Sequence, residues 1–324
     1  MVTGGGSFCA ACTGLARVDS FCVDVLFRKA NINMLPDYTR IILEEANEYA
    51  QSGDDQSAFK VLRRLSLADF CELNLYRPNN YTGLCRLLPT MPSDEVQKKW
   101  VGDFGRGLMI RSCNLARLFE VISLKLTGEG LESKTILDYG CGWGRLLRIM
   151  NYYAPVENVI GIDAMQTSLD HCREAGIQNQ LEIVSARPNT LPLGGREIDF
   201  SFAFSVFSHT PEDVTGLMLS SLRKSISGNG IFVATIRSVE WVRVRDGVWP
   251  EKWTEEMRSD FHSTGYAFQP INSGEDSLAT SDYGDTIMTP QYFGHIAEKN
   301  GWRVALVDRD LTEPFQIAVA LTPL

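Results

Sequence analysis

Three things are scarce in this 324-residue chain, and each scarcity removes a class of function. Positive charge is the first: 31 lysines and arginines stand against 40 aspartates and glutamates, a formal net charge of −9. Affinity for long phosphate backbones grows from basic patches, so nucleic acid is not an expected partner. Long apolar runs are the second. None reaches the roughly 18 residues that a membrane span needs, and the opening Met1-Val-Thr-Gly-Gly-Gly lacks the basic start of a signal peptide, so a cytoplasmic protein free of membranes is expected. Histidine is the third, with four in all and the first at His171. Cys9-Ala-Ala-Cys12 and Cys22 therefore have no histidine nearby and no second pair at matching spacing, and no metal is expected. Cys71, Cys85, Cys113 and Cys172 read as reduced, mostly buried packing residues. Apolar residues still make up 44% of the chain, ample for one large core or two smaller ones.

What is present is sharper. Ile136-Leu-Asp-Tyr-Gly-Cys-Gly-Trp-Gly-Arg145 is an apolar strand that ends in an acid and a glycine-rich turn and then opens a helix, expected from Arg145 to Tyr153. Gly140, Gly142 and Gly144 permit close approach of backbone to ligand, and helix amides beyond them can receive an anionic group. A dinucleotide fingerprint would read Gly-x-Gly-x-x-Gly. Here the glycines alternate and Asp138 stands two residues before the first, which disfavours a pyrophosphate and suits the ammonium of an amino-acid tail. S-adenosylmethionine meets both demands. A second strand, Val159-Ile-Gly-Ile-Asp163, ends in another acid at the spacing expected for a group that takes ribose hydroxyls, with Ala164 and Met165 beside it. An N-cap role for Asp163 is the plainer alternative.

On these residues the chain resembles the class I S-adenosylmethionine-dependent methyltransferases, in order from about Lys134 to Leu321. The resemblance implies a seven-stranded Rossmann-like α/β sheet with helices on both faces, closed by an antiparallel hairpin and preceded by a mainly helical N-terminal region. Its strands would continue through Leu181–Ser185, Ile198–Phe204, Gly230–Ile236, Trp302–Val307 and Phe315–Leu321. It also implies cofactor contacts at Asp138, Gly140, Cys141, Gly142, Asp163, Ala164, Met165 and Ser205. Adenine recognition shifts to the backbone of Ala186 or Arg187, because Ala186-Arg-Pro-Asn-Thr-Leu-Pro192 lacks the family's usual aspartate. His209 is the best-placed titratable group at the carboxyl edge of the sheet and the candidate general base, with His262 as another. Its plainer alternative is a residue before the helix that Pro211 opens. Ser205-Val-Phe-Ser-His209 is not the Asn/Asp-Pro-Pro-aromatic motif of enzymes that methylate base amino groups or glutamine amides.

Outside these motifs, residues 1–130 read as a helical cap or dimerisation region, with helices near Tyr38–Gln51, Gln56–Leu75 and Leu115–Leu126, and residues 131–324 as the cofactor domain. Trp100 and Phe104 are candidates to cover the cofactor, although such aromatics are more often core. Arg237–Pro290 is a lid-like insertion rich in aromatics. Tyr266, Tyr283 and Asp285 are its candidates for orienting an acceptor, while Arg243 and Arg245 read as a solvated face. The resulting expectation is methyl transfer to a small-molecule or sugar-like acceptor, a hydroxyl among the options, in a monomer or homodimer. A catalytically degenerate scaffold and, more remotely, an NAD-dependent oxidoreductase are the alternatives.

Overall fold

The computed structural model describes residues 35–237, 239, 241, 254–271, 278–279, 281–313 and 315–324. Cys9, Cys12, Cys22, Arg243, Arg245, Trp249 and Trp253 lie outside them. Five short helices come first: α1 Arg40–Ser52, α2 Asp55–Leu62, α3 Leu67–Tyr76, α4 Thr82–Leu87 and α5 Asp94–Val101. The single helix expected over Gln56–Leu75 is two. Ser66 breaks it because its hydroxyl accepts the Asp69 amide and starts α3 as an N-cap. The first four share a core of their own around Leu43, Phe59, Leu62 and Phe70. Then comes α6, Gly105–Thr127, ten residues longer at its start than the periodicity suggested.

Seven strands form the main sheet: β1 Ile136–Tyr139, β2 Val159–Asp163, β3 Gln180–Ile183, β4 Ile198–Ala203, β5 Ile226–Arg237, β8 Trp302–Asp308 and β9 Gln316–Pro323. Their order is β3-β2-β1-β4-β5-β9-β8. The first five are parallel, and β9 runs antiparallel to both β5 and β8. This is the Rossmann-like methyltransferase arrangement, with the reversal of strand order between β1 and β4 placing a crevice at their carboxyl ends. β1 and β2 are buried along their whole length, as continuous apolar runs between two helix layers require. One layer is α6 and the short α7, Leu147–Met150, where Phe119 stacks on Phe202 at 4.7 Å. The other is α9, Glu212–Arg223, and α11, Pro290–Lys299, locked by the Trp302 indole donating to Leu219 O at 3.0 Å.

The remaining elements are α8, Gln166–Glu174, and, in the described part of the insertion, α10, Glu255–Thr264, with a two-stranded ladder of β6, Tyr266–Pro270, and β7, Gly284–Met288. β7 is buried throughout, and it is bonded to the loop after β4: Gly284 N–H donates to His209 O and Thr286 N–H to Ser208 O, both at 2.9 Å. No helix among the described residues is long and apolar enough to cross a membrane.

Candidate active site

The glycine turn follows β1 directly and is bonded to β2, since the Gly140 and Cys141 amides both donate to Ile162 O, at 2.7 and 3.0 Å. Gly140 has φ +78°, and a Cβ there would collide with Val206. Only glycine lets the turn come this close to the loop after β4. The helix expected over Arg145–Tyr153 is reduced to α7, with single turns on either side closed by three-residue bonds such as Tyr152 N–H to Ile149 O. Cys141 is a packing residue under the turn. Burial and the neighbouring Cys172 thiol push its own thiol well up, which keeps it neutral.

Around this turn lies a cleft of about 1100 Å³, open on one side to solvent. Asp138 points into it and is 2% exposed. Its Oδ2 has no hydrogen-bond partner, and burial, then the Asp163 charge, pushes the carboxyl well above the usual range. Asp163, 6% exposed, accepts the Gly142 amide at 2.9 Å on one oxygen and the Met165 amide at 2.8 Å on the other. Burial raises it as well, against the pull of those amides. The residue directly before α8 is Met165, which makes no side-chain cap, and the Asp163 carboxylate accepts from the Ser168 side chain in the first turn of that helix.

Arg145 also lines the cleft and went unnoticed in the sequence, where it reads as the first residue of a helix. Its guanidinium lies 4.5 Å over the Phe204 ring and 3.9 Å from Glu313, it donates to Ser112 Oγ at 3.4 Å, and burial pulls it down to about 10. Trp100 lines the cleft, whereas Phe104 does not and instead sits under Lys98 Nζ at 4.2 Å. Gly140, Cys141, Gly142, Ala164, Met165, Ala186 and Ser205 are all in the lining. Ser205 takes φ +60°, uncommon for a residue with a Cβ, and its amide donates to Thr235 Oγ1 at 2.7 Å.

The side chain of Arg187, whose backbone was the adenine candidate, pairs with Asp213 at 2.8 Å and Asp282 at 2.9 Å, and so fastens Asp282, itself a lining residue, against the start of α9. Three expected site residues sit differently. Tyr266 stacks on Tyr292 at 4.9 Å and its hydroxyl accepts the Glu212 amide, which keeps it out of the cleft. Asp285 is buried behind the wall, 2.6 Å from Arg237. His209 does line the cleft, yet its Nδ1 donates to Gly284 O at 2.8 Å and its Nε2 accepts from Arg237 at 2.9 Å. Burial and the Arg237 charge push it down to about 3, so it is neutral with no lone pair left over. Tyr283 reaches the cleft as expected and stacks on His209 at 5.1 Å and 7°. His262, the other candidate base, is exposed on α10 and bonded to Arg258 O.

Residues 136–230, from β1 into β5, match the family described as "Methyltransferase domain". Over those residues the chain carries a methyltransferase domain. Over a short stretch it is 44% identical, across 57 residues, to a ribosomal protein L11 methyltransferase of Vibrio campbellii (strain ATCC BAA-1116), a match that takes in 16% of this chain and 19% of the relative. The chain thus spans about a fifth of the length of the curated relative it matches. Among solved structures, the PH0226 protein of Pyrococcus horikoshii OT3 is 13% identical with TM-score 0.47, covering 67% of this chain and 92% of its own. Magnesium protoporphyrin IX methyltransferase from Synechocystis PCC 6803, solved with bound S-adenosylhomocysteine, is 14% identical with TM-score 0.46, over 71% and 94%. The matched residues contain β1 to β4 and the start of β5, and the cleft described above is lined by the loops that follow β1, β2, β3 and β4.

Proposed function

We propose that this chain transfers a methyl group from S-adenosylmethionine to a small-molecule or sugar-like acceptor. The observation that carries the reading is the Asp138 carboxylate, buried in the cleft with one oxygen unpartnered. A buried acid without a partner is costly unless a cationic ligand completes it, and an ammonium does so. Arg145, buried close by and lining the same cleft, suits the carboxylate of the same amino-acid tail. Asp163 is held at the cleft by the Gly142 and Met165 amides, one on each oxygen, where a carboxyl can receive a ribose hydroxyl. Val184, Ser185 and Ala186 supply the wall for the base. The paired carboxyls oppose the pyrophosphate of a nicotinamide dinucleotide.

When bound, S-adenosylmethionine supplies a methyl on a positively charged sulfur that leaves as a neutral thioether. The protein's part is then alignment and exclusion of water, which can supply up to roughly 7–11 kcal/mol of a barrier. Val206, Val214, Met218 and Leu278 dry the cleft. A hydroxyl acceptor would need a base other than His209, whose nitrogens are both engaged. The test is incubation with S-adenosylmethionine bearing an isotopically heavy methyl and a small-molecule extract, read by mass spectrometry. A labelled product together with S-adenosylhomocysteine release, both lost in Asp163→Ala, is the expected result. If NAD(H) and not S-adenosylmethionine raises the melting temperature, the reading is overturned.

A further inference from the structure

Among the described residues, β8 ends the sheet with a neighbour, β9, on one side only. At seven residues it is nearly twice the length of β3 at the opposite end. Proteins usually blunt such an edge, because its free backbone groups can pair with another chain. Here the edge is apolar in part, with Val304 37% and Val307 48% exposed.

Its side chains complement one another when the strand is reversed. Arg303-Val-Ala-Leu-Val-Asp308, laid antiparallel on a second copy about the point between Ala305 and Leu306, sets Arg303 opposite Asp308 and Val304 opposite Val307. The faces agree as well. Val304 and Val307 lie across from Leu321 and Val319, which belong to the core under α9 and α11. Asp308 lies across from Ala318 of the other core, and Arg303 across from Thr322, the neighbour of Leu321 and so on that same opposite face. Opposite charges therefore meet on one face and valines on the other, the cross-strand pairs that stabilise antiparallel strands. The β-bulge between Val304 and Leu306 falls beside the symmetry point, where each copy would meet the same irregularity in its partner.

A second apolar strip adjoins the edge. Val121, 41% exposed, and Leu124, 46% exposed, share a face of α6 with Lys125, whose ammonium reaches Asp308 at 3.8 Å. The strip lies on the α6 side of the sheet, beside the face that carries Asp308, and a twofold axis would double it together with the strand.

We propose that β8 pairs antiparallel with β8 of a second copy of this chain, in the register that sets Arg303 against Asp308 of the partner subunit. The test is sedimentation of the full chain at micromolar concentration, with Arg303→Asp, Asp308→Arg and the double reversal, folding being checked by circular dichroism. A dimer is expected in the wild type. Either single reversal should weaken it by about tenfold by opposing like charges twice across the axis, and the double reversal should restore it. A monomeric wild type overturns the proposal. So does a dimer indifferent to the single reversals, or one that the double reversal fails to rescue. Val307→Lys, on the other face of the strand, should dissociate the dimer without lowering the melting temperature of the monomer.

Discussion

Both ring nitrogens of His209 are engaged, one by Gly284 O and one by Arg237, and burial beside that guanidinium pushes the imidazole down to about 3. A general base contributes about 10²–10⁴-fold to rate, so the role can be measured. His209→Gln can still donate to Gly284 and accept from Arg237, and methyl transfer is expected to stay within about tenfold of wild type. A larger loss, with substrate affinity intact, would return His209 to the base role. The same pKa predicts a stability profile. The unfolded histidine takes up a proton near its ordinary value of about 6.5, whereas the folded one resists down to about 3. Over that window the unfolded chain holds the extra proton, so His209's contribution is fully present above the upper value and is lost as pH falls. Removing the charge in Arg237→Gln should raise the folded pKa and shrink that dependence, as thermal unfolding across the window would record. Sequence order placed His209 at the cleft, but its partners lie 28 and 75 residues away, and no local pattern announces them.

Elements differ in how much of themselves they write into local sequence. β1, β2 and β4 are continuous apolar runs because helices cover both faces, and they lie where the runs are. The glycine turn is equally legible, since alternate glycines and flanking acids have few other uses. α7 is not, because Gly144 at φ +79° and the turns around it leave room for only four helical residues in an apolar stretch that would suit a longer helix. β7 is not either: its placement rests on bonds to Ser208 and His209, and this is what carries Tyr283 into the cleft while turning Asp285 behind it. The turn's own geometry yields a prediction. In Gly140→Ala the left-handed conformation costs about 1–2 kcal/mol, and the new methyl drives Val206 towards the cleft. Titration with S-adenosylhomocysteine should show at least about tenfold weaker binding, with a melting temperature lowered by only a few degrees. An unchanged affinity would mean that the cofactor does not lie across this turn.

Over the whole molecule, residues 35–324 cluster as one compact unit, and the reason lies in α6. Its periodicity announced a helix, but not which surface that helix covers, and α4 and α5, the short helices just before it, carried too little pattern to say. Phe119, fully buried, packs against Phe200 and Phe202 of the central strand, and Met109, Cys113, Ala116 and Ile122 extend the same face over the sheet. Tyr152 joins that core to the one under α1 to α4, stacking edge-on to Tyr153 and donating its hydroxyl to Leu65 O at 2.9 Å. Helical region and cofactor cleft should therefore melt together. Phe119→Ala removes an aromatic from the layer they share and is expected to cost about 3–5 kcal/mol. Calorimetry should give a single transition displaced downward by several degrees or more, with the stabilisation by S-adenosylhomocysteine displaced along with it. Two separated transitions, only one of them sensitive to that ligand, would instead assign α1 to α6 a stability of their own and reduce Phe119 to a contact between independent parts.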